Sequence, residues 1–515
     1  MNFFEWFLTA AYIVSGTFLF IYGLNCYWQI WFFLRGRKFI EREATVSEGL
    51  AEEMWSHPDS LPIVTTQIPL YNEFNVAQRI IEAVAALDYP TSRHQIQVLD
   101  DSNDETCALI DGVATDLRQK GIWIDIFRRD DREGFKAGAL KAGLEEAKGE
   151  FVAIFDGDFV PTADFFRKTL PLLVHDAGLG LVQGRWSHLN PRENLLCRAQ
   201  TVGIDGHFSI EQAARASNNL FLNFNGTAGL WRKQTIYDCG NWEGDTLTED
   251  MDLSYRAQLA GWRLTFQTDA VVPAELPSTF AAFKNQQFRW AKGSIQTARK
   301  LYPRVWRSDK SFVARLQALF HLTHYGIHPM IVSIALLSLP MLFIIPEQLS
   351  LPVRIFGLGA IIIAAIGPNS LYFVSQRHLY PQSWVKRVLI LPILTVVGLG
   401  ISVSNSRAVI EGILGVESEF VRTPKKGASN TMRYKARGSW LIGFEIFLGI
   451  YCFTSFLLYM THGVFGIGPF LLLYAVGYSF IGWRSLGEIR SARARSRPSH
   501  TESNELTAAD SGVLL

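Results

Sequence analysis

Carboxylates recur down one stretch of this chain in an order that could do chemistry: Asp100-Asp101, then Asp156-Gly157-Asp158, then Thr248-Glu249-Asp250. Acidic residues beside glycine are common in turns. Two carboxylates directly after a buried apolar strand are costly unless they bind something. Divalent Mg2+ or Mn2+ prefers such oxygen ligands, which makes Asp156 and Asp158 candidate metal ligands. A cation held there can bridge to a diphosphate and stabilise charge on a leaving group. Thr248-Glu249-Asp250 opens the helical run MDLSYRAQLAGW. There Thr248 can serve as N-cap while the acids favour the positive end of the helix dipole. The same position suits Asp250, with Glu249 beside it, to a general base that takes a proton from a hydroxyl.

Gln286, Arg289 and Trp290 close the series in the run QQFRW. This pattern suits an amphipathic helix near lipid headgroups. It also lets Arg289 pair with a diphosphate through its fork of donors, and Trp290 offers a flat apolar face to a sugar ring. Lys136, in GFKAGAL, is either a phosphate or nucleotide contact or a solvated helix residue.

Such residues need a scaffold that aims them at one place. The run 63–70 reads as a buried strand, followed by a helix with Val76, Ile80, Val84 and Leu87 on one face. Runs 95–101, 122–127 and 151–155 read as further strands, and 135–148 as a helix stopped by Gly149. Strand–helix alternation at this spacing implies a mostly parallel α/β sheet with helices on both faces. Ligands bind outside the carboxyl ends of such strands, where Glu73, Asp100, Asp101, Asp156 and Asp158 all fall. No GxGxxG or GxxxxGK[ST] loop follows any of these strands, which removes the main support for dinucleotide-binding and P-loop folds.

The flanks are apolar. From Trp6 to Leu34 no residue is charged, a longer run than the ~20 residues a span requires. Glu5 at the start, and Arg35, Arg37, Lys38 and Arg42 after the run, favour an anchor with a cytosolic C-terminal side over a signal peptide. Further apolar runs lie near 325–345, 352–374, 388–404, 440–461 and 465–483. Counting all of them as spans would put the basic loop from Arg422 to Arg437 outside. We therefore expect 388–404 to lie in the interface, leading into the amphipathic stretch 405–416. The expected organisation is an anchor over 1–45, a cytosolic catalytic domain over 46–310, membrane helices over 311–485, and a disordered tail from 486. A formal net charge of +1 over 515 residues argues against a nucleic-acid partner. The five cysteines lie far apart with no CxxC pair, so neither a zinc site nor a disulfide framework is expected.

Taken together, QIPLYNE (67–73), VLDDSND (98–104), GFKAGAL (134–140), FDGDF (155–159), VQGRW (182–186), FNGTAGLWR (224–232), LTEDMDL (247–253) and QQFRW (286–290) resemble the processive membrane β-glycosyltransferases of glycosyltransferase family 2. The cellulose synthase-like A (mannan and glucomannan) type and its bacterial relatives are the most similar in pattern. The resemblance implies a GT-A fold, a divalent metal and inversion at the anomeric carbon. It further implies transfer of hexose from UDP-glucose or GDP-mannose to a growing polysaccharide, with export across the membrane. A glycolipid glycosyltransferase adding one sugar to a lipid acceptor is the alternative. Carried onto this chain, Asp100, Asp101, Glu73 and Lys136 contact the nucleotide, and Asp158 with Asp156 holds the metal. Asp250 is the base, while Gln286, Arg289 and Trp290 face acceptor and diphosphate. Phe420, Thr423 and Lys425 are similar to a gating loop, although Arg422 stands where that pattern has Val. The implied location is a bacterial inner or plasma membrane, or the Golgi in a eukaryote.

Overall fold

The computed structural model describes residues 2–344, 351–417 and 440–495. Its centre is a seven-stranded sheet in the order β3-β2-β1-β4-β6-β5-β7. The strands are β1 (Val64–Leu70), β2 (His94–Asp100), β3 (Ile124–Phe127), β4 (Phe151–Ile154), β5 (Leu179–His188), β6 (Gly229–Arg232) and β7 (Arg263–Ala274). Pairings among β1, β2, β3 and β4, and between β5 and β7, are parallel, while β6 runs antiparallel to both its neighbours.

Alternation along the strands divides the core in two, since successive side chains point to opposite faces. Ile96, Val98, Phe151 and Ala153 pack with helices Phe74–Ala85, Thr106–Gln119 and Phe165–His175 on one face. Leu99, Val152 and Ile154 pack with helices Phe135–Glu146 and Glu249–Leu259 on the other. The apolar runs are continuous in sequence because both faces are covered.

A single helix, Phe3–Trp55, carries the N-terminal apolar run straight through position 45, so no structural break falls there. It meets the helix Leu351–Leu379 where Gly23 and Gly367 let the backbones touch; a Cβ on Gly367 would sit 2.5 Å from the Gly23 carbonyl oxygen. Among the described residues, Phe3–Trp55, Phe312–Ile344, Gly357–Leu379 and Trp440–Thr461 are long and apolar enough to cross a membrane. The run expected as the last span folds as the helix Gly468–Arg495 and is not one of those four, because Tyr, Ser, Trp and Arg484 dilute its apolar residues. That helix also continues past 486, where the tail was expected to begin. Segment 388–404 belongs to a pair, Trp384–Gly400 and Ser402–Leu414, bent by 47°. Phe420, Thr423 and Lys425 lie outside the described residues.

Candidate active site

The carboxyl ends of β1, β2 and β4 open onto one cavity of about 160 Å3. Glu73, Asp101, Lys136, Asp156, Asp158, Glu249, Asp250, Gln286, Arg289 and Trp290 all line it. Asp100 does not. As the last residue of β2 its side chain points away from that of Asp101, and it is fully buried. There it accepts from Arg128 Nε at 2.8 Å and from the Ser102 backbone at 3.0 Å. The structure therefore makes Asp100 a support for the strand end, not a wall of the cavity.

Asp101 is gripped by both forks of Arg129, at 3.0 and 2.6 Å. Arg132 lies over the Tyr71 ring, 3.3 Å from its centroid, and both residues line the cavity. These arginines follow β3 in the run RRDDRE, and sequence reasoning passed over them. The signal was available, because that run leaves a strand on the ligand-binding side of the sheet.

Lys136 sits among acids. Its Nζ is 2.5 Å from Asp156 Oδ1, 3.9 Å from Glu249 and 2.8 Å from the carbonyl of Gly226. Burial works to lower the Lys136 pKa, but Asp156, Glu249 and Asp250 outweigh it and hold the ammonium above its ordinary value. Asp250 moves the other way from a normal carboxyl. Burial and the neighbouring Glu249 push it up to about 7, against the opposing pull of Lys136 and Arg289. A carboxyl poised there can accept a proton near neutral pH. The loop over it is tight: Gly226 has φ +80°, and a Cβ on it would sit 3.0 Å from Asp250 Oδ2. Phe135, with φ of 48°, also holds left-handed backbone on the cavity wall, a strain of order 1–3 kcal/mol that gathers at functional sites. Thr248 does not cap its helix with its side chain. Its hydroxyl instead lies 3.2 Å from that of Thr297, tying the Asp250 turn to the helix Phe280–Trp306.

That helix delivers Gln286, Arg289 and Trp290, and it is anchored at both ends of this segment. Glu488 accepts from the backbone N–H groups of Phe280 and Ala281 at 2.8 and 3.0 Å. Lys284 pairs with the fully buried Glu445 at 2.6 Å, and Lys292 with Glu411 at 2.9 Å. Trp290 stands 6.4 Å from Trp186, whose ring packs on Phe159, giving the cavity an aromatic wall. The expected metal pair Asp156 and Asp158 supplies hard oxygen donors, with Asp158 buried and Lys136 taking one oxygen of Asp156. A second acidic group, Glu243, Asp245 and Asp252, has ligand-like spacing. Lys300 occupies it with contacts of 2.5, 2.8 and 2.9 Å, so it reads as an ion-pair network. All five cysteines are free.

Residues 62–293 match the family model described as glycosyltransferase like family 2. The chain is 36% identical over 453 residues to glucomannan 4-beta-mannosyltransferase 1 of Cyamopsis tetragonoloba, covering 83% of this chain and 82% of that protein. The chain belongs to glycosyltransferase family 2. It is also 43% identical over 263 residues to glucomannan 4-beta-mannosyltransferase 2 of Arabidopsis thaliana, which covers 50% of this chain and 49% of that protein. Among solved structures, the mannosyltransferase PcManGT from Pyrobaculum calidifontis in complex with GDP-Man and Mn2+ is similar at a TM-score of 0.45 and 17% identity, over 76% of this chain and all of that one. As a family 2 glycosyltransferase of cellulose synthase-like A type, the protein is a hexosyltransferase. Its GT-A domain is set among helices of membrane-spanning length.

Proposed function

We propose that this enzyme transfers hexose, with inversion, from GDP-mannose or UDP-glucose to the end of a growing β-linked polysaccharide. In this reading the catalytic domain faces the cytosol and the product leaves through the membrane helices. One observation carries it: a carboxyl raised to about 7, Asp250, shares a cavity with Lys136, Arg289 and an aromatic wall. The curated relatives' activity, as glucomannan mannosyltransferases, favours GDP-mannose as the first donor to test.

Asp101 and Glu73 lie at the strand ends where the nucleotide would sit, and Arg132 with Tyr71 offers a flat cation–π pair beside it. Lys136 and Arg289 face the diphosphate. Asp156 and Asp158 would hold a Mg2+ or Mn2+, which when bound neutralises charge building on the leaving diphosphate. Asp250 takes the proton of the acceptor hydroxyl as its oxygen bonds to the anomeric carbon and the bond from that carbon to phosphate breaks. The nucleoside diphosphate departs, and one displacement at carbon gives inversion. Trp290 and Trp186 hold the acceptor ring so that attack comes from the Asp250 side, with Gln286 on the same wall. The basic residues Arg35, Arg37 and Lys38 after the first apolar run support the cytosolic placement.

The test is an assay of membranes containing the protein with radiolabelled GDP-mannose and UDP-glucose, followed by sizing and linkage analysis. A long β-linked polymer is the expected product. A single-sugar lipid adduct would replace this reading with that of a glycolipid transferase, and no release of nucleoside diphosphate from either donor would overturn it.

A further inference from the structure

After the helix Leu195–Gly206 the chain forms a π-helical turn, His207–Gln212. On an α-helix, side chains five apart point about 140° away from each other. The wider i→i+5 turn brings them round onto one face, and such turns gather at functional sites. Here it lets His207 and Gln212 hold one amide, that of Asn225, from its two ends. Gln212 Nε2 donates to Asn225 Oδ1 at 2.5 Å, and Asn225 Nδ2 lies 3.1 Å from His207 Nε2.

The polarity of this chain is set by groups that can only accept. Gln212 Nε2 also donates to the Asn223 carbonyl at 2.9 Å, so Asn225 must turn its oxygen toward Gln212. The Glu211 carboxylate lies 2.8 Å from His207 Nδ1, which puts the ring proton there and leaves Nε2 to accept from Asn225. The Asn225 backbone N–H donates to Gln183 Oε1 at 3.0 Å, so the residue is held at main chain and side chain alike. Among the described residues, one N–H of the Asn225 amide is left uncommitted, on a residue that lines the cavity. Its neighbour Gly226 gives its carbonyl to Lys136 at 2.8 Å, and a Cβ there would sit 3.0 Å from Asp250 Oδ2, so Asn225 is one residue along the chain from the reacting groups and lines the same cavity.

We propose that this N–H donates to a hydroxyl oxygen of the acceptor sugar, next to the hydroxyl that Asp250 deprotonates. Asn225 is then a specificity-determining residue, and His207, Glu211 and Gln212 are positioning residues that act through its amide. The inference rests on glycosyl transfer at this site.

The experiment measures, for one donor, the ratio of sugar transferred to a soluble β-1,4-mannotetraose to sugar released as free hexose by water. Asn225→Ala lowers that ratio about tenfold and raises the tetrasaccharide KM, as loss of one neutral hydrogen bond predicts. His207→Phe, which keeps a ring but removes the acceptor nitrogen, lowers the ratio in the same direction. The double variant falls no further than Asn225→Ala alone. Glu211→Gln keeps an acceptor oxygen for Nδ1–H and retains most of the wild-type ratio. An unchanged ratio in Asn225→Ala, or additive losses in the double variant, overturns the proposal. If the wild-type protein itself releases no nucleoside diphosphate, glycosyl transfer at this site fails instead, and the two failures are distinct.

Discussion

Replacing Asp250 with Asn separates a catalytic carboxyl from a structural one. The wild-type group is raised from 3.8 to about 7 in the fold. Between those values the native state keeps a proton that the unfolded chain has given up, so stability falls as pH rises through that window. The cost is absent below about pH 4 and complete above about pH 7. A shift of about three pH units corresponds to about 4 kcal/mol. Asp250→Asn removes that cost, because the amide carries no charge at any pH. In detergent-solubilised protein without donor, the variant therefore melts higher than wild type at pH 8 and gains much less at pH 5. Its turnover, followed as release of nucleoside diphosphate, falls by ~10²–10⁴. The wild-type rise of kcat/KM with pH toward 7 disappears with it. A variant that keeps more than a tenth of wild-type turnover, or whose stability gain is equal at the two pH values, refutes the assignment.

Chelation by EDTA abolishes turnover and added Mn2+ restores it, while Asp158→Asn raises the Mn2+ concentration needed for half-maximal rate, both read in the same release assay. Asp100→Asn weakens the pair with Arg128 and costs about 1–3 kcal/mol of stability with an unchanged donor KM, whereas Asp101→Asn raises the donor KM; thermal melts and donor titrations distinguish the two. Lys284→Ala strands the buried Glu445 and destabilises the protein by about 3–5 kcal/mol. A Lys284→Met, Glu445→Leu pair recovers most of that loss, as a denaturation series on the three proteins will report.

Much of the site was legible before any fold was known. Strand–helix alternation placed Glu73, Asp101, Asp156 and Asp158 at strand ends, and the cavity gathers all of them. Arg129 and Arg132 were not anticipated, because a basic run reads alike on a solvated loop and over a ligand. Asp100 could not be told from Asp101, since adjacent residues past a strand differ only in the direction the backbone gives them. The span count shifted for another reason. An apolar run can be read by eye over 465–483, but across Gly468–Arg495 its Tyr, Ser, Trp and Arg484 residues dilute the mean hydropathy below that of the four spanning helices.

The order of motifs along the chain determined the family and the α/β scaffold, since both rest on local pattern and on which residue types can hold a metal or move a proton. Tertiary structure alone decided which acid holds its proton up to near-neutral pH. Asp250 acquires its raised pKa from burial and from Glu249 beside it, moderated by Lys136 and Arg289, cations that lie 114 and 39 positions away in the numbering. It likewise decided how Asn225 points, because a π-helical turn and two acceptor-only groups fix an amide whose orientation no sequence motif encodes. Proton affinity and hydrogen-bond polarity depend on what surrounds a group in space, and only the folded chain supplies that.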